Sequence, residues 1–436
     1  MATRDHKVPI EWVARNGLCT GCGACAGACP ASAIEMKVRR GCFVPSRSAA
    51  KCRQAAGCDV CFRVCPGHQL SLESMGEALF PQATRDASLG RVMACCTGHA
   101  AEHDIRFHGA SGGVVSQLLV SLLEGGQLDG AVVTRMGRTD PMEPDVFVAK
   151  TREEILEARS SKYCPVPAAL ALREVLRGDG KYAVVGLPCH IHAFRKAEKL
   201  FPALSEKVVL YCGLFCSTTH TFNATEYLLS LLGVRKEDVT RLAYRAEGCP
   251  GSMVLRLRNG EVRRWAFASC VRQLRSFFVP HRCSLCADHA AELADISCGD
   301  IYIPEFRDDR IGTTAIIVRS TRGQHVLQRA QQCGCVELRP VTRALVLKSQ
   351  RQALARKKRH LSTRLDLMRL LGRASPRYDI VMPKLPLAEK AKCFLSTVVL
   401  HAERLIGQRR TWWPIIKHLA AAAQALDSLR RSNKTP

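Results

Sequence analysis

Eight of the nine cysteines between residues 19 and 65 constrain this chain more than any other feature it has. They fall in two runs, Cys19-Thr-Gly-Cys22-Gly-Ala-Cys25-Ala-Gly-Ala-Cys29-Pro30 and Cys52-x5-Cys58-x2-Cys61-x3-Cys65-Pro66. Three thiolates at two-residue gaps reach three iron corners of one cubane, and a fourth, three residues further on, points to a neighbouring cluster. Two such runs exchange their last cysteines. The spacing therefore assigns Cys19, Cys22, Cys25 and Cys65 to one 4Fe-4S cluster, and Cys52, Cys58, Cys61 and Cys29 to a second. The longer gap after Cys52 asks only for a longer loop. Cys-x-x-Cys pairs also hold structural zinc, but the Cys-Pro ending of both runs and the Gly and Ala packed between the cysteines favour iron.

With 23 cysteines in 436 residues, clustered at metal-type spacings, the chain reads as a cytoplasmic protein in a reducing compartment rather than a disulfide framework. The start, Met-Ala-Thr-Arg-Asp-His-Lys, lacks the apolar stretch of a secretory signal, and no run approaches the length of a membrane span. Hydrophobic residues at 47% and charged residues at 24% are ordinary for a globular protein, here long enough for two or three domains. The net charge is +25, from 64 Lys plus Arg against 39 Asp plus Glu. That excess suits an acidic partner such as an acidic ferredoxin or another redox donor, or simply gives a solvated basic surface. No nucleic-acid module appears, so nucleic acid is set aside.

Four segments are expected: residues 1–75 as a ferredoxin-like 4Fe-4S domain, 76–100 as a polar linker, 101–345 as a mixed α/β core, and 346–436 as a basic, mostly helical region. The fold class is thus α+β to α/β. Within the core, the turn Ser111-Gly112-Gly113 precedes an apolar helical run. Read alone, it fits an anion-binding helix start and a plain capped turn equally well. The stretches 132–134 and 146–149 read as strands around a turn. Residues 181–190 read as a buried strand entering a Gly186-Leu-Pro188-Cys189 turn, and residues 208–217 repeat that pattern. Strand, small-residue turn, helix is how α/β folds place ligands at strand carboxyl ends. Cys283-x-x-Cys286 has ligand spacing again, and two thiolates cannot complete a cubane. A third cluster is expected there, completed by Cys189 and by Cys212 or Cys216, between the N-terminal pair and the catalytic cofactor. The alternative is that these strand-end cysteines are small buried hydrophobes.

In the C-terminal region, Arg356 to Arg359, Arg409, Arg410 and the Trp412-Trp413 pair suit a peripheral contact with an anionic membrane surface. A helix packed on the core fits the same residues.

Taken together, Gly-Ala-Ser111-Gly112-Gly113, Ser161-Lys162-Tyr163, Gly186-Leu-Pro188-Cys189, Arg282-Cys283-x-x-Cys286 and Ala294-Asp295-Ile-Ser-x-Gly299-Asp300 resemble the family of coenzyme F-420 hydrogenase/dehydrogenase beta subunits, in unbroken order over about residues 15 to 345. The resemblance implies an iron–sulfur flavoprotein oxidoreductase that carries FAD and 4Fe-4S clusters. It would move electrons from a one-electron donor to a two-electron acceptor, with deazaflavin or a polysaccharide-pathway intermediate among the candidates. It makes the 101–345 core flavin-binding, with Ser111, Gly112, Gly113, Ser161, Lys162, Tyr163, Gly186 and Pro188 as cofactor contacts and Lys162 as the positive charge near the flavin phosphates. No catalytic acid or base is named by the sequence. His190 and His192 follow the turn and fit a proton donor, although a structural role fits them better. The built-in ferredoxin-like module and the long basic tail favour a free-standing reductase. A non-catalytic electron-transfer subunit is the other reading.

Overall fold

The structure, a computed structural model, describes residues 8–420. An N-terminal module wraps the cysteine runs around a hairpin, β1 (Ile34–Arg39) with β2 (Cys42–Arg47), paired antiparallel from Ile34 opposite Arg47 to Arg39 opposite Cys42. The core is an eight-stranded sheet. Its strands are β3 (Ala94–Ala100), β4 (Gly130–Met136), β5 (Pro144–Ala149), β6 (Tyr182–Gly186) and β7 (Val208–Leu214). A satellite sheet of β8 (Val239–Ala246), β9 (Ser252–Leu257) and β10 (Val262–Ala266) stands beside it. The main sheet is completed by β11 (Ile296–Asp300), β12 (Thr314–Val318) and β13 (Val336–Pro340), in the order β13-β3-β12-β11-β7-β6-β4-β5. Its central four strands, β11-β7-β6-β4, run parallel, and antiparallel strands flank them.

Parallel strands covered on both faces read as near-continuous apolar runs, and Tyr182-Ala-Val-Val and Val208-Val-Leu-Tyr are such runs. Alternation then divides their side chains. Val132, Val184 and Tyr211 pack with Ile10, Ala24, Val64 and the cysteine module on one face. Ala131, Val133, Ala183 and Leu210 pack under helix α1 (Val114–Glu124) on the other. The iron-ligand module is therefore built onto one face of the catalytic-type sheet, not strung ahead of it. Helix α2 (Pro188–Glu198), with Pro188 at its first position, lies between the two.

Two expectations are corrected here. Residues 76–100 are not a linker. After a helix at Leu72–Leu79 and a hairpin at Thr84–Asp86 and Gly90–Val92, strand β3 pairs with both β12 and β13 near the sheet edge. Its polar look comes from Thr97 and His99, while Cys95 and Cys96 pack into cores on opposite faces. Nor do residues 346–420 form a detached tail. Helices α3 (Arg343–Leu354), α4 (Leu361–Leu370) and α5 (Leu387–Gly407) return to the N-terminal module. Arg377–Tyr378 pairs with Gln69–Leu70, and Asp379 accepts the backbone N–H groups of Glu73 and Ser74, each at 2.9 Å. Of the expected basic region, residues 421–436 lie outside those described.

Candidate functional site

In the N-terminal module, short helical turns at Ala24–Gly27 and Val60–Arg63 set the cysteines around two centres. Cys19, Cys22, Cys25 and Cys65 converge. Burial pushes the Cys22 thiol up to about 11, with the Cys65 charge adding to it. Cys25 is pushed well up by burial and by Cys19, Cys22 and Cys65. Lys196 and Arg282 oppose this at Cys65, where Lys196 Nζ donates to the Cys65 carbonyl at 2.7 Å and Arg282 Nε to that of Gly67 at 2.9 Å. The second centre gathers Cys61, pushed up to about 12 by burial and by Cys58, Cys29 and Cys52. Arg47 Nη1 donates to Cys52 Sγ at 3.4 Å, and the extra residues after Cys52 are taken up by a 3-10 turn at Gln54–Ala56. Both quartets are those that the ligand exchange between runs requires.

A third group lies at the carboxyl ends of β6 and β7. Cys189 in the first turn of α2, Cys216 just beyond β7, and Cys283 and Cys286 around a turn at His281–Ser284 line one cavity. Cys216 is pushed up to about 12 by burial, with Lys357 pulling it down and Cys283 and Cys286 pushing it further up. Cys212 is not part of this group. Strand alternation turns it into the opposite core beside Cys298, so of the two alternatives expected there it is Cys216, not Cys212, that lines the cavity.

The three groups couple in sequence through their charges. Cys25 of the first quartet feels the charge of Cys61 in the second. Cys189 feels Cys22 as well as Cys216, Cys283 and Cys286. The order in space is thus Cys29/52/58/61, then Cys19/22/25/65, then Cys189/216/283/286. Among the described residues no group of three or more His, Cys, Asp or Glu closes tightly enough to hold a single metal ion. Zinc draws four ligands to about 2.0–2.3 Å of one point, whereas a cubane holds its thiolates apart on separate iron corners.

Cys42 and Lys357 carried no sequence signal for this site, whereas His190 and His192 are the histidines that the sequence offers as a proton donor or, better, as structural residues. Cys42, on β2, lines the third cavity. Lys357 reaches the cavity from a π-helical turn at Ala355–Arg359, its Nζ 3.5 Å from the Cys283 carbonyl. His192 Nε2 meets Asp288 Oδ2 at 2.8 Å, both buried. His190 accepts the Leu187 N–H on Nδ1 at 3.2 Å, and burial pushes it down to about 4. Burial thus favours the neutral ring, which accepts at the helix start on Nδ1 and keeps its proton on Nε2.

The eight expected flavin contacts all lie toward the carboxyl edge of the sheet but do not line one cavity. Gly112 and Gly113 have φ of +93° and +71°, and α1 begins at once with no side chain capping it. Its first-turn N–H groups are thereby left for a ligand. The loop is fixed from behind, since a Cβ on Gly112 would stand 2.9 Å from the Gly312 carbonyl oxygen, and Thr314 Oγ1 donates to the Ser111 carbonyl. Ser161 and Lys162 line a crevice of about 410 Å³ with His108, Arg135, Arg138 and Arg241. Its arginines are mostly paired, Arg135 with Asp145 and Glu157, Arg138 with Glu157 and Arg159 with Asp104, which leaves Arg241 as the arginine of the crevice without a carboxylate partner among the described residues. The Lys162 ammonium itself donates to the carbonyls of Ala158, Arg159 and Ser160, and burial pushes it down to about 7. All three of its donors are used by those carbonyls, which leaves none for a bound anion. Tyr163 faces Phe267, with ring centroids 4.8 Å apart, beside the bidentate Arg245–Asp300 pair at 2.7 and 3.0 Å. Pro188 lines the third cysteine cavity instead, and Gly186 packs against His190.

Comparison with known proteins accounts for this arrangement. A 4Fe-4S binding domain matches residues 15–35, the N-terminal part of the coenzyme F420 hydrogenase/dehydrogenase beta subunit matches 95–173, and its C-terminal part matches 179–344. The coenzyme F420 hydrogenase subunit beta of Methanosarcina barkeri is 28% identical over 268 residues, 59% of this chain and 84% of the relative. A subunit of the F(420)H(2) dehydrogenase of Methanosarcina mazei is 26% identical over 325 residues, 72% of this chain and 83% of the relative. A chain of the F420-reducing [NiFe] hydrogenase complex from Methanosarcina barkeri shares the fold, with a TM-score of 0.53 and 24% identity over 68% of this chain and all of that one. The chain belongs to the family of coenzyme F420 hydrogenase/dehydrogenase beta subunits, with a 4Fe-4S binding domain at its N-terminus.

Proposed function

We propose that this protein is an iron–sulfur flavoprotein oxidoreductase that takes electrons singly from a ferredoxin-type donor and delivers them in pairs to an organic acceptor. Cys29, Cys52, Cys58 and Cys61 would hold the outermost cluster, Cys19, Cys22, Cys25 and Cys65 the middle one, and Cys189, Cys216, Cys283 and Cys286 the innermost. FAD would lie along the carboxyl edge of the sheet, its phosphates near the Ser111–Gly113 loop and the crevice that holds Arg241. Bound there, clusters pass one electron at a time and a flavin stores two, so two donor oxidations balance one two-electron reduction of the acceptor with its proton. The observation that carries the reading is the electrostatic coupling in series of three cysteine quartets, the last lining a cavity at the edge where α/β folds bind ligands.

The chain's own residues supply charge and seclusion. Arg47, Lys196, Arg282 and Lys357 each set a cation against one of the quartets, which offsets the cost of gathering thiolates out of water. The relatives' names supply deazaflavin as the first acceptor to test.

Anaerobic purification with iron, sulfide and flavin quantified tests the composition, and Cys22→Ser tests the assignment. The variant is expected to lose about one third of the iron, because the run offers no spare thiolate at that corner. Full iron content, or zinc in its place, refutes it. The relatives are named as subunits, which favours a second reading as a relay within a larger complex. Turnover of a small acceptor by the isolated chain decides for the first; reduction of the flavin without turnover decides for the second.

A further inference from the structure

Helix α5 is apolar on two opposite sides. Its inner side buries Cys393, Thr397, Arg404 and Gly407. There Arg404 Nε donates to the Val279 carbonyl at 3.0 Å, and Gly407 admits the Phe277 carbonyl where any Cβ would stand 2.1 Å from it. The outer side carries Leu387, Ala391, Phe394, Val398, Ala402 and Leu405, recurring at steps of four, three, four, four and three, and the last four of these also line an open groove against Leu367, Met368 and Leu371 of and just beyond α4. That is the period of one helical stripe. Leu395 and Val399 widen it, and exposure reaches 84% at Leu387 and 65% at Leu395. Neighbouring segments extend the surface, with Leu371 and Val381 on one side and Trp412 and Ile415 beyond the helix, all exposed. A contiguous apolar surface of this kind on a folded chain marks a contact.

The surroundings select the contact. Lys390 and Lys392 flank the stripe along α5, and Lys384, Arg409 and Lys417 stand near its two ends. Among the described residues Lys384, Lys392, Arg409 and Lys417 have no carboxylate partner. The nearby acids are already engaged: Asp379 by the backbone of Glu73 and Ser74, Glu389 by Arg359 and His360, and Asp366 by Arg369 and Lys390. Arg409 stacks over the exposed Trp412 ring at 5.0 Å from its centroid, a cation and an indole placed as at a headgroup layer. A second copy of this chain would set one cationic border against another. An anionic lipid surface satisfies both the apolar stripe and its borders.

We propose that the outer face of α5 docks this protein on an anionic membrane surface, with α5 lying in the interface plane. No helix among the described residues is long and apolar enough to cross a membrane, so the contact is peripheral. The cations that carry it are not those the sequence suggested. Lys357 is buried at the third cysteine group, Lys358 and Arg359 pair with Glu292 and Glu389, and Trp413 packs against Tyr227 and Phe278. The docking face also lies beyond residue 344, where the family match ends.

Flotation of the purified, cofactor-loaded full chain with phosphatidylcholine vesicles, with and without phosphatidylglycerol, tests the proposal. The native protein is expected to float with the anionic vesicles and stay behind with the neutral ones. Leu387→Glu/Leu395→Glu is expected to lower the floated fraction about tenfold or more, with iron content and sedimentation coefficient unchanged because both side chains are mostly exposed, at 84% and 65%. Failure of the native protein to float overturns the proposal. So does flotation that the double variant leaves unaltered, or a native dimer that the double variant dissociates, which would assign the face to a second copy.

Discussion

Lys357 stands about seventy residues from the nearest cysteine of its group in sequence, and no local pattern links them. Its side chain is nevertheless buried in the cavity of Cys216, Cys283 and Cys286. Burial works against its charge, and those three thiolates outweigh it and hold the ammonium above its ordinary pKa. A fixed positive charge favours the more negative, reduced state of a neighbouring cluster. Lys357→Met keeps the packing and removes the charge. The innermost cluster of that variant is expected to become harder to reduce, its midpoint potential falling by about 59 mV for each tenfold change in the reduced-to-oxidised ratio. A redox titration followed by electron paramagnetic resonance reads the change, and the two N-terminal signals serve as internal controls. An unmoved innermost signal would leave Lys357 a packing residue. At this scale the ligands were legible because a cubane imposes local spacing, and the tuning cation was not because charge acts through space. Cys212 shows the same limit from the other side. A period-two strand turns it away from Cys216, which follows the strand, and the positions of cysteines along a chain do not show which face each one takes.

Among elements, those with self-contained patterns were readable. The strands at 130–136, 182–186 and 208–214 and the helix after the Ser111–Gly113 turn stand close to where apolar runs and glycine placed them. Strand β3 was missed because its partners lie more than two hundred residues downstream, and its own sequence, Ala-Cys-Cys-Thr-Gly-His-Ala, holds a single branched residue, Thr97, of the kind that marks strands. The loop that follows it offers a test. At Gly112 any other residue has to hold a φ of +93° and place a Cβ 2.9 Å from the Gly312 oxygen, a strain of about 1–3 kcal/mol. Relief by a small shift of the loop would move the helix start it shapes. Gly112→Ala is therefore expected to lower the flavin-to-iron ratio of the purified protein while iron per chain holds steady. A ratio equal to that of the native protein would make the loop structural only.

Across the whole molecule, the three cysteine groups couple segments that start at residues 19, 189 and 283 into one line, and the C-terminal helices close over its inner end. The N-terminal and C-terminal halves of the line come from separate modules, yet Cys22 and Cys189 face each other across their junction. The protein thus has one continuous route and no evident bypass among the described residues. That arrangement makes a sharp demand on the innermost group. Cys283→Ser removes one corner there, leaves both N-terminal quartets intact, and touches none of the residues placed near the flavin. Iron is expected to fall by about a third, while flavin content and the two N-terminal resonance signals persist. Reduction of the flavin by a reduced ferredoxin in a stopped-flow experiment is expected to slow at least about a hundredfold, because the remaining gap would have to be crossed without the intermediate carrier. Reduction of the same flavin by dithionite, a small donor that does not need the line, is expected to stay fast. If ferredoxin reduces the variant at the native rate, electrons enter the flavin by another face and the serial arrangement of cysteines is not the working path.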